Sequence, residues 1–120
     1  MKILKTFCRV YTSDIEETLS FYGNITGRKV ERRFHLPGIP IEIAYIGDFL
    51  ILAGTEENLG RFRQVQSTCI VEGLEDLHTY FLKNGANVLR DPQKVPTGRN
   101  MTIRHPDGLV IEYVEPTPNA

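Results

Sequence analysis

Asn100-Met101-Thr102-Ile103-Arg104-His105-Pro106-Asp107-Gly108-Leu109-Val110-Ile111-Glu112-Tyr113-Val114 is the stretch from which the rest of the chain can be read. Two runs of β-branched and apolar residues flank Pro106-Asp107-Gly108. A proline followed by Asp-Gly favours a tight turn, so the segment predicts an antiparallel hairpin. Within its second strand a single carboxylate, Glu112, interrupts an apolar run. Strand alternation places it on one face with Val110 and Val114. A carboxylate among hydrocarbon is paired, bound to metal or kept neutral when it is buried, so Glu112 marks either a site or a sheet face open to water.

The chain has 120 residues, enough for one domain (1–120) with its own core. Its 14 basic and 15 acidic side chains leave a net charge of −1, which gives no basis for a nucleic-acid or anionic-membrane partner. Cys8 and Cys69 lie in apolar, strand-like runs without CxxC spacing, so buried free thiols of a reducing compartment are expected. The opening Met1-Lys2-Ile3-Leu4-Lys5 lacks the apolar core of a signal peptide, and no run reaches membrane-spanning length; a cytoplasmic protein is expected.

Outward from the hairpin, the chain alternates strands and helices. Thr6 to Tyr11 is β-rich, and Ser13 with Glu16 forms a capping box for a first helix, with Ile15, Leu19, Tyr22 and Ile25 recurring at helical spacing and Gly27 as its stop. Lys29 to Phe34 reads as a strand, and Ile41–Ile46 with Phe49–Ala53 as a hairpin about Gly47-Asp48. Gly54 to Gln64 is polar and predicts a surface connector, including Arg61 and Arg63. Gln66 to Val71 is again β-rich; Leu74, Leu77 and Phe81 mark a second long helix that Gly85 ends. Asn87 to Arg90 reads as a strand, Asp91 to Gly98 as a loop, and Pro116 to Ala120 as a fraying tail.

The two halves repeat. At an offset of 58 residues Leu19, Tyr22, Gly27 and Val30 fall on Leu77, Tyr80, Gly85 and Val88, and at 60 Leu52 falls on Glu112. Each half is a βαβββ module, 1–60 and 61–120. One such module cannot bury its sheet face alone. The predicted fold is therefore α+β, with two βαβββ modules whose sheets pair into a cupped, barrel-like cavity.

Ser13-Asp14-Ile15 with Phe21-Tyr22 and Gly27 in the first half, and His105-Pro106-Asp107-Gly108 with Ile111-Glu112 in the second, resemble the vicinal oxygen chelate superfamily, which includes glyoxalase I, bleomycin resistance proteins and extradiol dioxygenases. The resemblance implies a divalent metal held by the first and last strands of each module, and homodimers. Carried over by position, it puts Glu112 at the carboxylate, Gln66 at the ligand of the first strand of module two, and Phe7 and Leu52 at the two positions of module one. Phe7 and Leu52 cannot bind metal, and one carboxylate with one amide falls short of about three protein donors. No metal or other cofactor is expected. Shifting the count to Cys8 does not help, because alternation turns Cys8 to the opposite face.

A small organic ligand in the cup is therefore the leading expectation, with Phe7, Arg9, Leu52, Gln66, Arg99, Met101 and Glu112 as binding residues. The alternative is a metal-dependent lyase, isomerase or dioxygenase with other ligands; a cup filled by its own side chains is a third reading. Glu112 is the candidate general base, and Arg9, two residues from Phe7, either pairs with a carboxylate or recognises an anionic group. Arg99, Met101 and Ile103 join the Glu112 face if His105 pairs with Gly108 across the turn. His35 and His78 have no partner at ligand spacing and are read as structural.

Overall fold

The structure, a computed structural model, describes residues 1–118; positions 119 and 120, the end of the tail expected to fray, lie outside the described residues. Among the described residues eight strands and three helices follow one another: β1 (Lys2–Thr12), α1 (Ile15–Thr26), β2 (Arg32–His35), β3 (Glu42–Ile46), β4 (Phe49–Ala53), α2 (Glu56–Leu59), β5 (Ser67–Glu72), α3 (Leu74–Lys83), β6 (Asn87–Val95), β7 (Gly98–Arg104) and β8 (Val110–Pro116). They group into two compact units, one of Phe7–Gln64 and one of Met1–Thr6 with the chain from Val65 onward. The start of β1 thus goes with the second half of the sequence.

In the unit of Phe7–Gln64 the strand order is β2-β3-β4-β1. β1 runs parallel to β4, with Arg9 beside Leu50 and Tyr11 beside Leu52. β3 and β4 form the expected hairpin, Ile46 opposite Phe49, across a turn in which Gly47 takes φ 57°. α1 begins one residue later than the capping box predicts: Asp14, not Ser13, is the N-cap, and its side chain accepts from Glu17 N at 3.1 Å. The capping oxygen is then a carboxylate at the positive end of the helix. Gly27 ends α1 in the left-handed region, φ 66°, as expected. Leu19, Ala44, Ile46 and Ile51 form this unit's core, with Val10, Ile15, Tyr22 and Phe49 packed on it, whereas Ile25 is exposed. The strand read from Lys29 starts only at Arg32, although Glu31 N already donates to Tyr45 O at 2.9 Å.

The Gly54–Gln64 connector is not wholly a surface segment. Thr55 caps the short α2, and Leu59 at its end is fully buried. Arg63 donates from Nε to Glu56 at 3.0 Å, folding the segment on itself.

In the other unit the order is β5-β8-β7-β6, with β5 parallel to β8 and the remainder antiparallel. Cys69, Val71, Leu74, Leu77, Met101, Ile103, Ile111 and Tyr113 form the core between α3 and the sheet. Of the loop predicted for 91–98, residues 91–95 are instead the second half of β6, 96 and 97 make the turn, and Gly98 opens β7. Two irregularities, between Val88 and Arg90 and between Arg90 and Gln93, let a strand containing Pro92 remain paired with β7. The repeat also slips by one here: Phe81, not Tyr80, packs on the core as Tyr22 does in the first half.

Candidate functional site

The hairpin that organises the sequence decides which side chains meet Glu112. His105 N donates to Leu109 O at 2.8 Å, and Gly108 N to His105 O at 2.9 Å, with Gly108 at φ 97°. The connection is therefore three residues long, not two. Arg104 stands opposite Val110, Thr102 opposite Glu112 and Asn100 opposite Val114. A one-residue slip exchanges the faces of a strand. The register that would have placed Arg99, Met101 and Ile103 beside Glu112 is thus corrected. Met101 and Ile103 are fully buried in the α3 core, and Arg99 is ion-paired with Glu75 of α3.

Around Glu112 the structure brings together two residues that sequence reasoning missed. Thr68 lies in register with Glu112 on β5, and its hydroxyl donates to Oε1 at 3.2 Å. Asn100 donates from Nδ2 to Oε2 at 2.9 Å. Thr68 is 1 % and Asn100 7 % exposed, so a carboxylate of intermediate burial meets two buried neutral donors. Hydrogen bonds to an ionised acceptor are about twice as strong as neutral ones, and two of them fix the rotamer as well as solvating the charge. A polar β-branched residue inside Ser67–Val71, and an amide at the start of the hairpin, were the available signals.

Gln66 does not reach this cluster. Its backbone N donates to Val110 O at 2.9 Å and its Oε1 accepts from Val110 N at 3.2 Å, so the side chain extends the ladder to the start of β8. The oxygen that a metal would need is committed to a backbone amide.

The face of the Phe7–Gln64 sheet turned away from α1 carries Phe7, Arg9, Tyr11, Ile43, Tyr45, Leu50 and Leu52, by alternation from the core residues of the opposite face. Phe7 is packed edge-on against Tyr45, ring centres 5.0 Å apart. Arg9 donates to the Tyr11 hydroxyl at 3.0 Å, and that hydroxyl donates to Phe62 O, tying the connector to the sheet. Leu52 is in register with Tyr11, four residues from Phe7 and so about 13 Å along the strand. The two positions matched to metal ligands in this half are therefore not neighbours, and both are hydrocarbon.

Taken residue by residue, the four positions do not fit a divalent metal. Two have no donor atom, one donor is occupied by Val110 N, and Glu112 faces an amide nitrogen and a hydroxyl. Among the described residues no three His, Cys, Asp or Glu side chains converge as a metal would require.

The histidines take other roles. His105 shares a hydrogen bond of 2.6 Å with the Tyr113 hydroxyl on the α3 side of the sheet, where Phe81 packs on both rings. His78 approaches Asp91 at 3.8 Å, and His35 is opposite Glu42 at the β2–β3 pair. Among the described residues no helix is long and apolar enough to cross a membrane.

The sequence profile described as the glyoxalase/bleomycin resistance protein/dioxygenase superfamily matches residues 5–113, and the chain belongs to that superfamily. It is similar over its full length to a structure of an uncharacterised protein from Methanosarcina mazei, with 45 % identity, 98 % of that chain covered and a TM-score of 0.92. More distantly, it shares its fold with a methylmalonyl-CoA epimerase from Mycobacterium tuberculosis, at 18 % identity, 97 % and 90 % of the two chains covered and a TM-score of 0.75. A Streptomyces coelicolor methylmalonyl-CoA epimerase variant in complex with 2-nitronate-propionyl-CoA matches at 16 % identity, 98 % and 97 % coverage and a TM-score of 0.74. Among curated proteins no sequence matches the chain.

Proposed function

We propose that this protein binds a small organic molecule at the Glu112 face, holding it by shape and hydrogen bonds rather than through a divalent metal. The observation that carries this reading is the hydrogen-bonded set Thr68–Glu112–Asn100, in which neutral donors occupy the flanks of the one carboxylate left from the superfamily's ligand pattern. Phe7 and Leu52, at positions where that pattern has metal ligands, are hydrocarbon and offer no donor atom. A homodimer in a reducing cytoplasm, as the resemblance and the two free cysteines imply, completes the reading.

The epimerase structures direct the choice of probes. A panel of CoA thioesters, 2-nitronate-propionyl-CoA among them, and small organic acids and amides is titrated into isotope-labelled protein, alongside elemental analysis of the protein as purified. Binding that perturbs Thr68, Asn100 and Glu112, persists after chelation and weakens at least about tenfold in Glu112→Gln supports the proposal. Stoichiometric zinc, nickel, manganese or iron whose removal abolishes binding or turnover would establish the metal-dependent alternative in its place.

A further inference from the structure

The two ends of the Asn100 amide are treated differently by the fold. Nδ2 donates to Glu112 Oε2, whereas Oδ1 is buried without a hydrogen-bond partner, in a residue only 7 % exposed. Turning the amide over does not cure this. It would set Oδ1 against a carboxylate oxygen, acceptor to acceptor, and strand Nδ2 instead. Glu112 thus dictates the orientation of the amide, and the oriented amide presents an acceptor that its surroundings do not satisfy. Buried polar atoms in folded proteins nearly always have partners, so an orphan at a candidate site points to a group supplied from outside the chain. The register puts Asn100 on the Glu112 and Thr102 face, away from Met101 and the α3 core.

We propose that Asn100 is a specificity-determining residue whose Oδ1 receives a hydrogen-bond donor from the ligand: a hydroxyl, an amide N–H or an ammonium. This rests on the Glu112 face being the binding face, and adds the chemical class of the group bound there. Carboxylate and phosphate groups are disfavoured at that point, since they bring only lone pairs to a place where an amide oxygen and a carboxylate already stand together.

Four probes with one carbon skeleton test the proposal: propan-1-ol, propionamide, propylammonium and propionate, each titrated into 15N,13C-labelled protein. The readouts are the Asn100 side-chain amide and carbonyl signals and the backbone amides of Thr102 and Glu112. The expected result is that the donor probes move the Asn100 carbonyl signal, and that they bind at least about tenfold more tightly than propionate. That preference should disappear in Asn100→Ala, with Asn100→Ser as the second variant; the carbonyl signal of the unmodified protein supplies the test if neither variant folds. Equal binding of propionate, or a preference that survives in both variants, overturns the proposal. So does a crystal of probe-soaked protein in which Oδ1 is met by a lone water. Probes that move Glu112 but leave Asn100 untouched overturn this inference while sparing the binding face. Larger ligands binding elsewhere, with no response at Glu112, remove the binding face itself.

Discussion

The carboxylate of Glu115 in β8 accepts from the backbone nitrogens of Gly73, at 2.8 Å, and Leu74, at 3.4 Å. α3 has glycine at its N-cap and no capping side chain of its own, so a residue more than forty positions away does the capping. Replacing an N-cap oxygen by alanine costs about 0.5–2 kcal/mol, and a carboxylate there also meets the helix dipole. Glu115→Ala is expected to lower unfolding stability by about 1–2 kcal/mol, with Glu115→Gln between the two. Urea denaturation measures both; an unchanged midpoint in Glu115→Ala would show that the contact contributes nothing.

Two glycines of positive φ should respond very differently to alanine. At Gly27, φ 66°, an added Cβ meets nothing within 4 Å, so only the left-handed backbone is penalised, by about 1–2 kcal/mol. At Gly98, φ 147°, the Cβ would lie 2.2 Å from Glu115 O and 2.7 Å from Thr117 N, both backbone atoms that cannot swing away. Gly98→Ala is expected to lose at least about 3 kcal/mol or fail to fold, because overpacking adds to backbone strain. Thermal melts of the pair, compared under one condition, check the ranking.

Tyr113 ties the alkaline limit of stability to the core. Burial pushes its phenol above the ordinary range, with the charge of Cys69 a smaller cause in the same direction. A folded-state value above the unfolded one means that the contribution is complete below about pH 10 and is lost as the pH climbs beyond it. Tyr113→Phe should flatten the decline above pH 10, while giving up about 1 kcal/mol at neutral pH with the bond to His105. Denaturation series between pH 7 and 11 report both effects.

The two thiols should separate cleanly in alkylation. Cys8 is exposed, whereas Cys69 is 2 % exposed and burial raises its thiol, against an opposing hydrogen bond with Thr6. Iodoacetamide at neutral pH is expected to modify Cys8 readily and Cys69 at least about a hundredfold more slowly, at a rate that follows opening of the fold. Mass spectrometry of Cys8→Ser protein during labelling gives the Cys69 rate directly.

Much of the architecture was legible because it rests on local chemistry. Gly27 and Gly85 stop helices where the sequence places them, and Gly47-Asp48 turns the β3–β4 hairpin, because each glycine has the positive φ that other residues avoid. The surroundings of Glu112 were not legible to the same degree. They depend on a single register, and Pro106-Asp107-Gly108 is compatible with either a two- or a three-residue connection. Taking the shorter one carried Arg99 and Met101 to the wrong face and left Asn100 and Thr68 unnoticed. Pro92 misled in another way: the sequence announces a break in pairing, whereas β6 absorbs it in two bulges. The Asp14 cap was missed by one position because Ser13 and Asp14 both suit the role, and only the backbone, φ −132° at Asp14, decides between them.

Those bulges in β6 have a protective effect. β6 is the outermost strand of its sheet, so its free side is the row of amides and carbonyls onto which another extended chain would zip. Pro92 withholds a donor from that row, two offsets break its repeat, and Arg90, Asp91 and Lys94 stand exposed along it. The nine residues of this border therefore offer no uniform stretch for another extended chain to copy.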